Sequence, residues 1–319
     1  MLTNFPSIIP RSLIALAFLL PSNLEAKDAL KLTDGAEQKA WETLAERFKE
    51  GPEYKKNEDG AIISARMKDY RKSGKKGGWF EIQIDPKSGH VVKVSSDRAS
   101  LSNEELALLA SFEQLETLTL WHNQPANKDD NEDRYDGKGL AALTKLSNLT
   151  DITLAGGAFD DDGMAAAAKL PHLKYLGIWH TDVTDVGLIA LKDHPTFERI
   201  KLGPFWRERI TDAGMAALAE VPNLKEVVIG ETWLTFPGLA SFIPLDGQLK
   251  ELDLSNTLIE PGAVEKLRRK MSKTDIEWEG LQGAGEVLDS SKWQRQRLKD
   301  WAPNKLVESA IKAADRDRK

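Results

Sequence analysis

The sequence has 319 residues, no cysteine and a net charge of −6 at pH 7. Without cysteine, the chain has no disulfide framework, no thiol nucleophile, no cysteine-ligated zinc and no lipid attached through a cysteine. Because binding to duplex nucleic acid needs a basic face, the mixed and net acidic charge argues against nucleic acid as a partner.

Residues 1–26 have the composition of a signal peptide. Arg11 supplies positive charge, an apolar run extends from Ser12 to Leu20, and the small Ala26 suits a cleavage site. The run is too short to span a bilayer comfortably. We therefore expect a secreted or periplasmic protein with no stable membrane span after the signal is removed. The alternative is an uncut N-terminal anchor or a buried helix.

Residues 27–89 are predicted to form an N-terminal cap of one helix and several strands. An amphipathic helix begins near Asp34, whose carboxylate can accept hydrogen bonds from its first turn, and extends to Phe48. A strand is predicted over 61–67, and two alternating stretches over 79–94 predict a hairpin.

From residue 90 to residue 280 one pattern recurs. Each copy has a short alternating piece of the form Leu-x-x-Leu-x-Leu, followed by a piece with helical spacing such as Val183-Thr-Asp-Val-Gly-Leu188. The central apolar residues of the copies are Leu118, Ile152, Leu176, Ile200, Val227 and Leu252, at steps of 34, 24, 24, 27 and 25 residues. This period predicts a solenoid in which each copy adds one strand to a parallel sheet. Because Val94 stands one copy before Leu118, the second hairpin strand is expected to be the first rung.

The recurring Ile-Thr-Asp-x-Gly-Leu motif, as at Ile210-Thr-Asp-Ala-Gly-Met215, resembles one variant of the leucine-rich repeat family. That variant is known from F-box-associated repeats and from bacterial secreted repeat proteins. The resemblance covers residues 90–280. It implies a right-handed α/β solenoid with a parallel sheet on the concave side and short helices on the convex side. It also implies a binding scaffold, but it specifies the partner hardly at all.

Two insertions follow strand ends, where binding loops of repeat proteins often lie: Gln124–Lys138 and Pro204–Arg209. The first contains 127–133, which is dense in oxygen ligands. Because its spacing is not that of an EF-hand, a solvated loop is preferred to a calcium site. Residues 281–319 are predicted to form a C-terminal helical cap with a basic tail, since nine Lys or Arg face four Asp or Glu from Lys292 onward.

Strand alternation predicts which side chains leave the core. If Leu118 and Leu120 point inward, Trp121 points to the concave side, and the same offset applies to every copy. The candidate binding residues are the aromatic, histidine and basic side chains on this side and in its loops: Trp121, His122, Tyr175, Trp179, His180, Arg199, Lys201, Phe205, Trp206 and Trp233. The rings form a strip suited to a protein segment or a sugar chain. The alternative is that they pack under the insertions or on one another.

Charge on the concave side is expected to be uneven. The basic middle consists of Arg199 and Lys201, with Arg207 and Arg209, and the acidic end consists of Glu226, Glu251, Asp253, Asp275, Glu277 and Glu279. Such a face suits a charge-complementary protein partner. The alternative is an ordinary solvated surface with internal ion pairs.

No catalytic constellation is recognisable in the sequence. Strand spacing puts His122 and His180 about 10 Å apart, too far to share one metal ion, and the other three histidines have no paired carboxylate motif. An exposed sheet gives paired acids such as Glu251 and Asp253 no pocket that would shift their pKa values. We therefore predict a protein that is not an enzyme and that uses no metal or cofactor.

The favoured function is that of an exported repeat protein that presents a rigid concave surface to a protein partner. Three alternatives stay open. The first is a carbohydrate-binding module of the cell envelope, with Trp121, Tyr175, Trp179 and Trp233 as stacking platforms. The second, implied by the repeat resemblance, is an adaptor of the ubiquitin-ligase type. The third is a purely structural role as a spacer in the envelope. The signal peptide and the absence of an F-box-like helical segment before the repeats argue against the adaptor.

Overall fold

The computed structural model describes residues 30–48, 50–69, 78–99, 101–122, 135–156, 159–204, 209–255 and 257–278. The chain divides into two units, 1–31 and 32–319, and the fold described below belongs to the second. Outside the described residues lie the predicted signal peptide 1–26, the acidic stretch 127–133, Phe205, Trp206, and the predicted C-terminal cap 281–319.

One sheet runs through the described residues, with its strands paired in chain order. The first three pairings are antiparallel, and every later pairing is parallel. The strands are β1 (Glu53–Lys56), β2 (Ile62–Asp69), β3 (Gly78–Ile84), β4 (Val91–Asp97), β5 (Thr117–Trp121), β6 (Asp151–Ala155), β7 (Tyr175–Trp179), β8 (Arg199–Gly203), β9 (Glu226–Ile229), β10 (Glu251–Asp253) and β11 (Asp275–Glu277).

The first helix precedes β1, one short helix follows each strand from β4 to β10, and neighbouring helices pack against one another in chain order. They are α1 (Gly35–Glu46), α2 (Asn103–Leu108), α3 (Gly137–Ala141), α4 (Asp161–Ala167), α5 (Asp185–Ile189), α6 (Asp212–Leu218), α7 (Phe236–Ala240) and α8 (Pro261–Lys270). Within the described part of the chain, none of them has the length and apolar character needed to cross a membrane.

The central apolar residues of the repeats stack in register along the sheet. Val94 pairs with Leu118, Leu118 with Ile152, and the series continues to Leu252 and Ile276. Nearly all of these side chains are inaccessible to solvent. The predicted leucine-rich repeat solenoid is therefore confirmed, with β4 as its first parallel rung. The antiparallel strands β1 to β3 cover the sheet edge that β4 would otherwise leave open.

Polar residues start the helices, as their positions in the sequence predict. The Asp34 carboxylate accepts hydrogen bonds from the backbone nitrogens of Ala36 and Glu37 at 2.7 and 3.0 Å, and α1 ends two residues before the buried Phe48. Ser102 forms a reciprocal capping box with Glu105 at the start of α2. These caps satisfy backbone donors that have no partner within the helix.

The sequence misses one strand and misplaces the end of one loop. Strand β1 was not predicted, because its residues are mostly charged and exposed. The insertion predicted over 124–138 extends too far along the chain. Tyr135 is fully buried and donates its backbone N–H to the Leu101 oxygen at 2.8 Å, and Asp136 caps α3. Tyr135 and Asp136 therefore belong to the repeat.

The sheet face turned away from the helices is the one predicted above as the concave side, and it is called the outer face from here on. Strand β5 defines it: Leu118 and Leu120 are buried toward the helices, Thr117 and Thr119 are half-buried on the other side, and Trp121 is 37% exposed there. The same alternation extends along the sheet. The outer face is where the sequence places most of the candidate binding residues.

Candidate binding face

Tryptophans lie on the outer face at every second strand. Trp121 of β5 is the most exposed, and Trp179 of β7 is half-buried. Ala155 of β6, which pairs with Trp179, lies between them. Trp79 of β3, which pairs with Lys68 of β2, extends this spacing into the antiparallel strands. Trp79, Trp121 and Trp179 are called the tryptophan row. The sequence predicted two of its members and missed Trp79.

The ring of Trp179 lies against the backbone of the next strand. A Cβ atom on Gly203 would be 2.0 Å from Cε3 and 2.4 Å from Cζ3 of that ring. Only glycine leaves room for the ring at this place. Gly203 and Ala155, which were expected to point outward, do lie on the outer face, but they are buried. Packing on the sheet therefore holds Trp179 in a defined position.

Tyr175 carries an arginine over its ring. The Arg199 guanidinium is 4.9 Å from the ring centroid and donates to Asp151 Oδ1 at 2.9 Å. The tyrosine leans along its own strand, because its hydroxyl oxygen lies 2.7 Å from where a Cβ of Gly177 would be. The structure thus places the Arg199 guanidinium over Tyr175, so one face of this ring is already covered.

Each of the two Trp-His dipeptides ends in a histidine bound to a carboxylate. His122 Nδ1 lies 2.7 Å from Asp97 Oδ1, and His180 Nε2 lies 3.0 Å from the Glu231 carboxylate. Both histidines adopt left-handed backbone conformations, with φ of 49° and 54°, at the point where the chain leaves the strand. Histidine occupies this region more readily than most non-glycine residues. We call Trp121 with His122 and Asp97, and Trp179 with His180 and Glu231, the two Trp-His units.

A third histidine also has a carboxylate partner, contrary to the sequence expectation. His90 Nδ1 lies 3.2 Å from Glu37 Oε1, and the same carboxylate accepts the backbone N–H of Val91 at 3.2 Å. Burial raises the pKa of Glu37, and the bonds from Val91 and His90 oppose the rise. This contact ties α1 to the start of β4. Its role is structural, because Glu37 is almost completely buried.

Among the described residues, no three histidine or carboxylate side chains lie close enough together to hold a metal ion. The His122 ring has Asp97 as a hydrogen-bond partner, and the His180 ring has Glu231.

The basic middle predicted for the outer face is paired internally. Arg199 bonds Asp151, Lys201 lies 3.5 Å from Glu226, and Arg209 lies 2.9 Å from Asp182. The acidic end differs, because four carboxylates form no ion pair with any described residue: Glu251, Asp253, Asp275 and Glu277. The described outer face therefore keeps its excess of negative charge at the predicted acidic end, while ion pairs neutralise the described residues of the predicted basic middle.

The acidic end contains one carboxyl group with a raised pKa, that of Glu251. Burial raises the pKa of Glu251, and repulsion from Glu226 and Glu277 adds to the rise. Parallel pairing places these three side chains on neighbouring strands of the same face. The expectation that the exposed sheet leaves its carboxylates unshifted is therefore wrong for Glu251.

A hollow of about 890 Å³ lies at the antiparallel end of the sheet, lined by Lys55, Ser64, Glu81, Gln83, His90 and Glu116 among others. Burial by itself raises the pKa of Glu81, but hydrogen bonds from Ser64 at 2.7 Å and Arg66 at 2.6 Å lower it overall. The sequence analysis missed this hollow. The alternation of Trp79, Glu81 and Gln83 in the hairpin was the available signal.

Other candidates lie elsewhere. Trp233 follows β9, bridges to Leu258 and is half-buried, so it is not part of the tryptophan row. On the helix side, Val186 and Ile189 of α5 are 66% and 56% exposed. The sequence analysis did not single out this small apolar pair.

No family model and no curated protein matches the chain. Among solved structures, the chain is similar to an internalin (inlF) from Listeria monocytogenes, with 15% sequence identity and a TM-score of 0.38. The similarity covers 61% of this chain and 58% of the internalin chain. The matched region thus spans less than two thirds of the internalin.

Proposed function

We propose that the protein is an exported leucine-rich repeat protein that binds a protein partner on the outer face of its sheet. The observation that carries the proposal is the exposure of Trp121, a large aromatic residue that is 37% accessible and lies outside the buried core. An exposed ring on a regular backbone supplies contact area at a small cost in conformational entropy, and tryptophan is enriched at binding hot spots.

The surroundings of the ring support a preformed surface. Strand pairing in register holds the backbone on both sides of Trp121, and contact with Gly203 positions Trp179. Binding to such a surface loses little conformational entropy in the protein, so more of the contact energy contributes to affinity.

Site-specific photocrosslinking of the full-length protein in its native host tests the proposal. A photoreactive residue replaces Thr119, which is half-buried on the outer face, and in a matched control it replaces Ala165, which is exposed on α4. We expect one protein to be crosslinked at position 119 and absent at position 165. Trp121→Ala should abolish that crosslink and leave the melting temperature nearly unchanged.

Two results would contradict the proposal. One is the same set of proteins captured at both positions, which indicates random proximity. The other is no protein captured at position 119 in cells where the chain is abundant. Export is tested separately by the mature N-terminus, which we expect at Lys27 in the envelope or medium fraction.

The carbohydrate alternative is not carried by a specific observation. Of its four predicted stacking platforms, Tyr175 has Arg199 over its ring, and Trp233 lies outside the tryptophan row. The ubiquitin-ligase adaptor rests only on the repeat resemblance. The outer face is therefore assigned to a protein partner.

A further inference from the structure

The hollow at the antiparallel end of the sheet opens on the outer face. Gln83 lies four residues after Trp79 in β3 and therefore on the same side of that strand. Strand pairing places Ser64 of β2 beside Gln83, and Lys55 of β1 beside Ser64. Glu116, which precedes β5, lines the hollow on its other side. The hollow therefore extends across the first five strands, at their opposite end from the tryptophan row.

The hollow has the size of a ligand pocket and a mostly polar lining. Its volume of about 890 Å³ lies within the usual range of about 300–1,000 Å³. Two of its carboxylates already have partners in the protein. Glu81 accepts hydrogen bonds from Ser64 and Arg66. Asp85 accepts two backbone N–H groups of its own turn. Other polar groups of the lining are therefore the ones open to a ligand.

Three such groups have no bonding partner among the described residues. Lys55 and Glu116 form no ion pair there. The amide of Gln83 makes no hydrogen bond within the same part of the chain, although the residue is half-buried. A ligand that displaces water from this amide must offer it both a donor and an acceptor. Lys55 and Glu116 add one positive and one negative charge to that requirement.

The separation of the two charges suits an extended polypeptide. Lys55 on β1 and Glu116 beside β5 are four strand spacings apart, about 19 Å. Because both side chains line the hollow between them, a ligand whose charges lie somewhat closer together can meet both. Residues four apart in an extended chain are about 13 Å apart and point to the same side. The backbone between them carries the N–H and C=O groups that Gln83 requires.

The remaining lining favours a peptide over a sugar. Ile63, Ile84, Pro86 and Val92 supply aliphatic surface, and the described lining contains no aromatic ring on which a sugar could stack. A small molecule with one ionised group would leave Lys55 or Glu116 without a counter-charge. An extended segment with two opposite charges satisfies both.

We propose that the hollow binds an extended segment of the partner protein in which an acidic and a basic residue lie four positions apart. The acidic residue pairs with Lys55, the basic residue pairs with Glu116, and the backbone between them bonds the amide of Gln83. This inference rests on the proposed function, because it names the segment through which the partner contacts one end of the outer face. Opposite charges at the two ends of the hollow select the partner by excluding segments of a single sign.

An array of pentapeptides, acetylated and amidated at their ends, tests the inference when it is probed with the full-length protein. The two outer residues are Glu and Lys in either order, Glu and Gln, Lys and Gln, or two Gln, and the three central residues vary. We expect the strongest binders to carry Glu and Lys. In fluorescence anisotropy, the best of them should bind about tenfold more tightly than its two-Gln analogue, and about threefold more tightly than either analogue with one charge.

Two charge variants assign the ends of the peptide. Lys55→Gln should remove the gain from the peptide's Glu and keep the gain from its Lys, and Glu116→Gln should do the reverse. Gln83→Leu should weaken every peptide about fivefold, because the peptide backbone loses its donor and acceptor. Lys145→Gln and Asp162→Asn are the matched controls, because both residues are exposed away from the sheet, after α3 and on α4. The melting temperature of each variant confirms that it is folded.

Equal affinity for the four classes of peptide would overturn the inference, as would the absence of binding to all of them. Losses of the same size for every peptide in Lys55→Gln and Glu116→Gln would also overturn it. A neutral β-linked glucan oligosaccharide whose binding is lost in Gln83→Leu would replace the protein segment with a glycan. Failure of the inference is distinguishable from failure of the proposed function. If position 119 crosslinks one protein but no peptide binds, only the inference is wrong.

Discussion

The carboxylate of Asp185 accepts two hydrogen bonds from Thr211 of the next repeat, one from the backbone nitrogen at 2.8 Å and one from the hydroxyl group at 2.7 Å. The Thr211 hydroxyl also accepts the N–H of Ala213 and caps α6. Two further Asp-Thr pairs form the same two bonds between repeats: Asp161 with Thr184, and Asp212 with Thr235. The Thr184 hydroxyl also caps its helix, whereas the Thr235 side chain makes no cap hydrogen bond. The Thr-Asp sequence of the motif therefore joins successive repeats as well as capping helices.

Substitution of Asp185 by Ala should weaken this junction. The substitution removes the acceptor of the Thr211 N–H and hydroxyl groups, and because both bonds are exposed, we expect the free energy of unfolding to fall by about 1 kcal/mol. Denaturant titration measures the loss. Asp193→Ala is the control, because Asp193 is exposed on the same copy and should change stability by less than about 0.5 kcal/mol. Equal losses in the two variants would show that the junction contributes nothing.

Replacement of the motif glycine by alanine should weaken the same junction, because the added methyl group would collide with the Asp185 carboxylate. A Cβ atom on Gly214 would lie 2.3 Å from Asp185 Oδ1, so Gly214→Ala must displace the carboxylate. We expect a loss of about 1–3 kcal/mol, smaller when Asp185 is already Ala. Gly262→Ala in α8 is the matched control, because no atom lies within 4 Å of its added Cβ. That variant should be neutral or up to about 1 kcal/mol more stable.

The sequence predicts the fold because the apolar residues recur in every copy of the repeat and the helix caps recur in most copies. The motif does not specify the side-chain contacts that copies make with one another on the outer face. His180 and its partner Glu231 are 51 residues apart, and the place of Trp179 depends on a glycine of the next strand. Ion pairs between strands are likewise not specified by the motif. The sequence indicates a basic middle of the outer face, but Asp151 and Glu226 neutralise its Arg199 and Lys201.

The position of Trp179 should change when Gly203 becomes Ala. The added Cβ would lie 2.0 Å from Cε3 of the indole, so the ring must leave the sheet. We expect the ¹⁹F resonance of Trp179 in 5-fluorotryptophan-labelled protein, assigned with Trp179→Phe, to shift and broaden. Gly35→Ala is the control, because its added Cβ has no neighbour within 4 Å and should leave this resonance in place. An unchanged signal in Gly203→Ala would contradict the described packing.

Tyr135 should behave as a core residue even though it follows a long acidic stretch. Its side chain is fully buried, and we expect Tyr135→Ala to cost about 3–5 kcal/mol of unfolding free energy. Lys138→Ala, three residues later and exposed, is the control and should be nearly neutral. If both variants are equally stable in thermal and denaturant unfolding, Tyr135 belongs to a solvated insertion, as the sequence alone indicated.

Glu251 should make the stability of the protein depend on pH. Burial raises the pKa of Glu251 in the folded state, with Glu226 and Glu277 adding to the rise. A carboxylate whose folded pKa is raised favours the fold below its unfolded pKa, and this contribution is lost as pH rises through the folded pKa. At pH 7 the ionised group therefore disfavours the fold, and Glu251→Gln should raise the melting temperature.

The gain in Glu251→Gln should shrink toward about pH 4 and vanish below the unfolded pKa, where Glu251 is protonated in both states. The difference in melting temperature between Glu251→Gln and the parent protein, followed across this pH range, measures the effect. Glu113→Gln is the control, because Glu113 is exposed outside the acidic end and should show no such trend. A gain of the same size at both ends of the range would indicate better packing of the amide. Repulsion among the carboxylates of β9, β10 and β11 would then not be its cause.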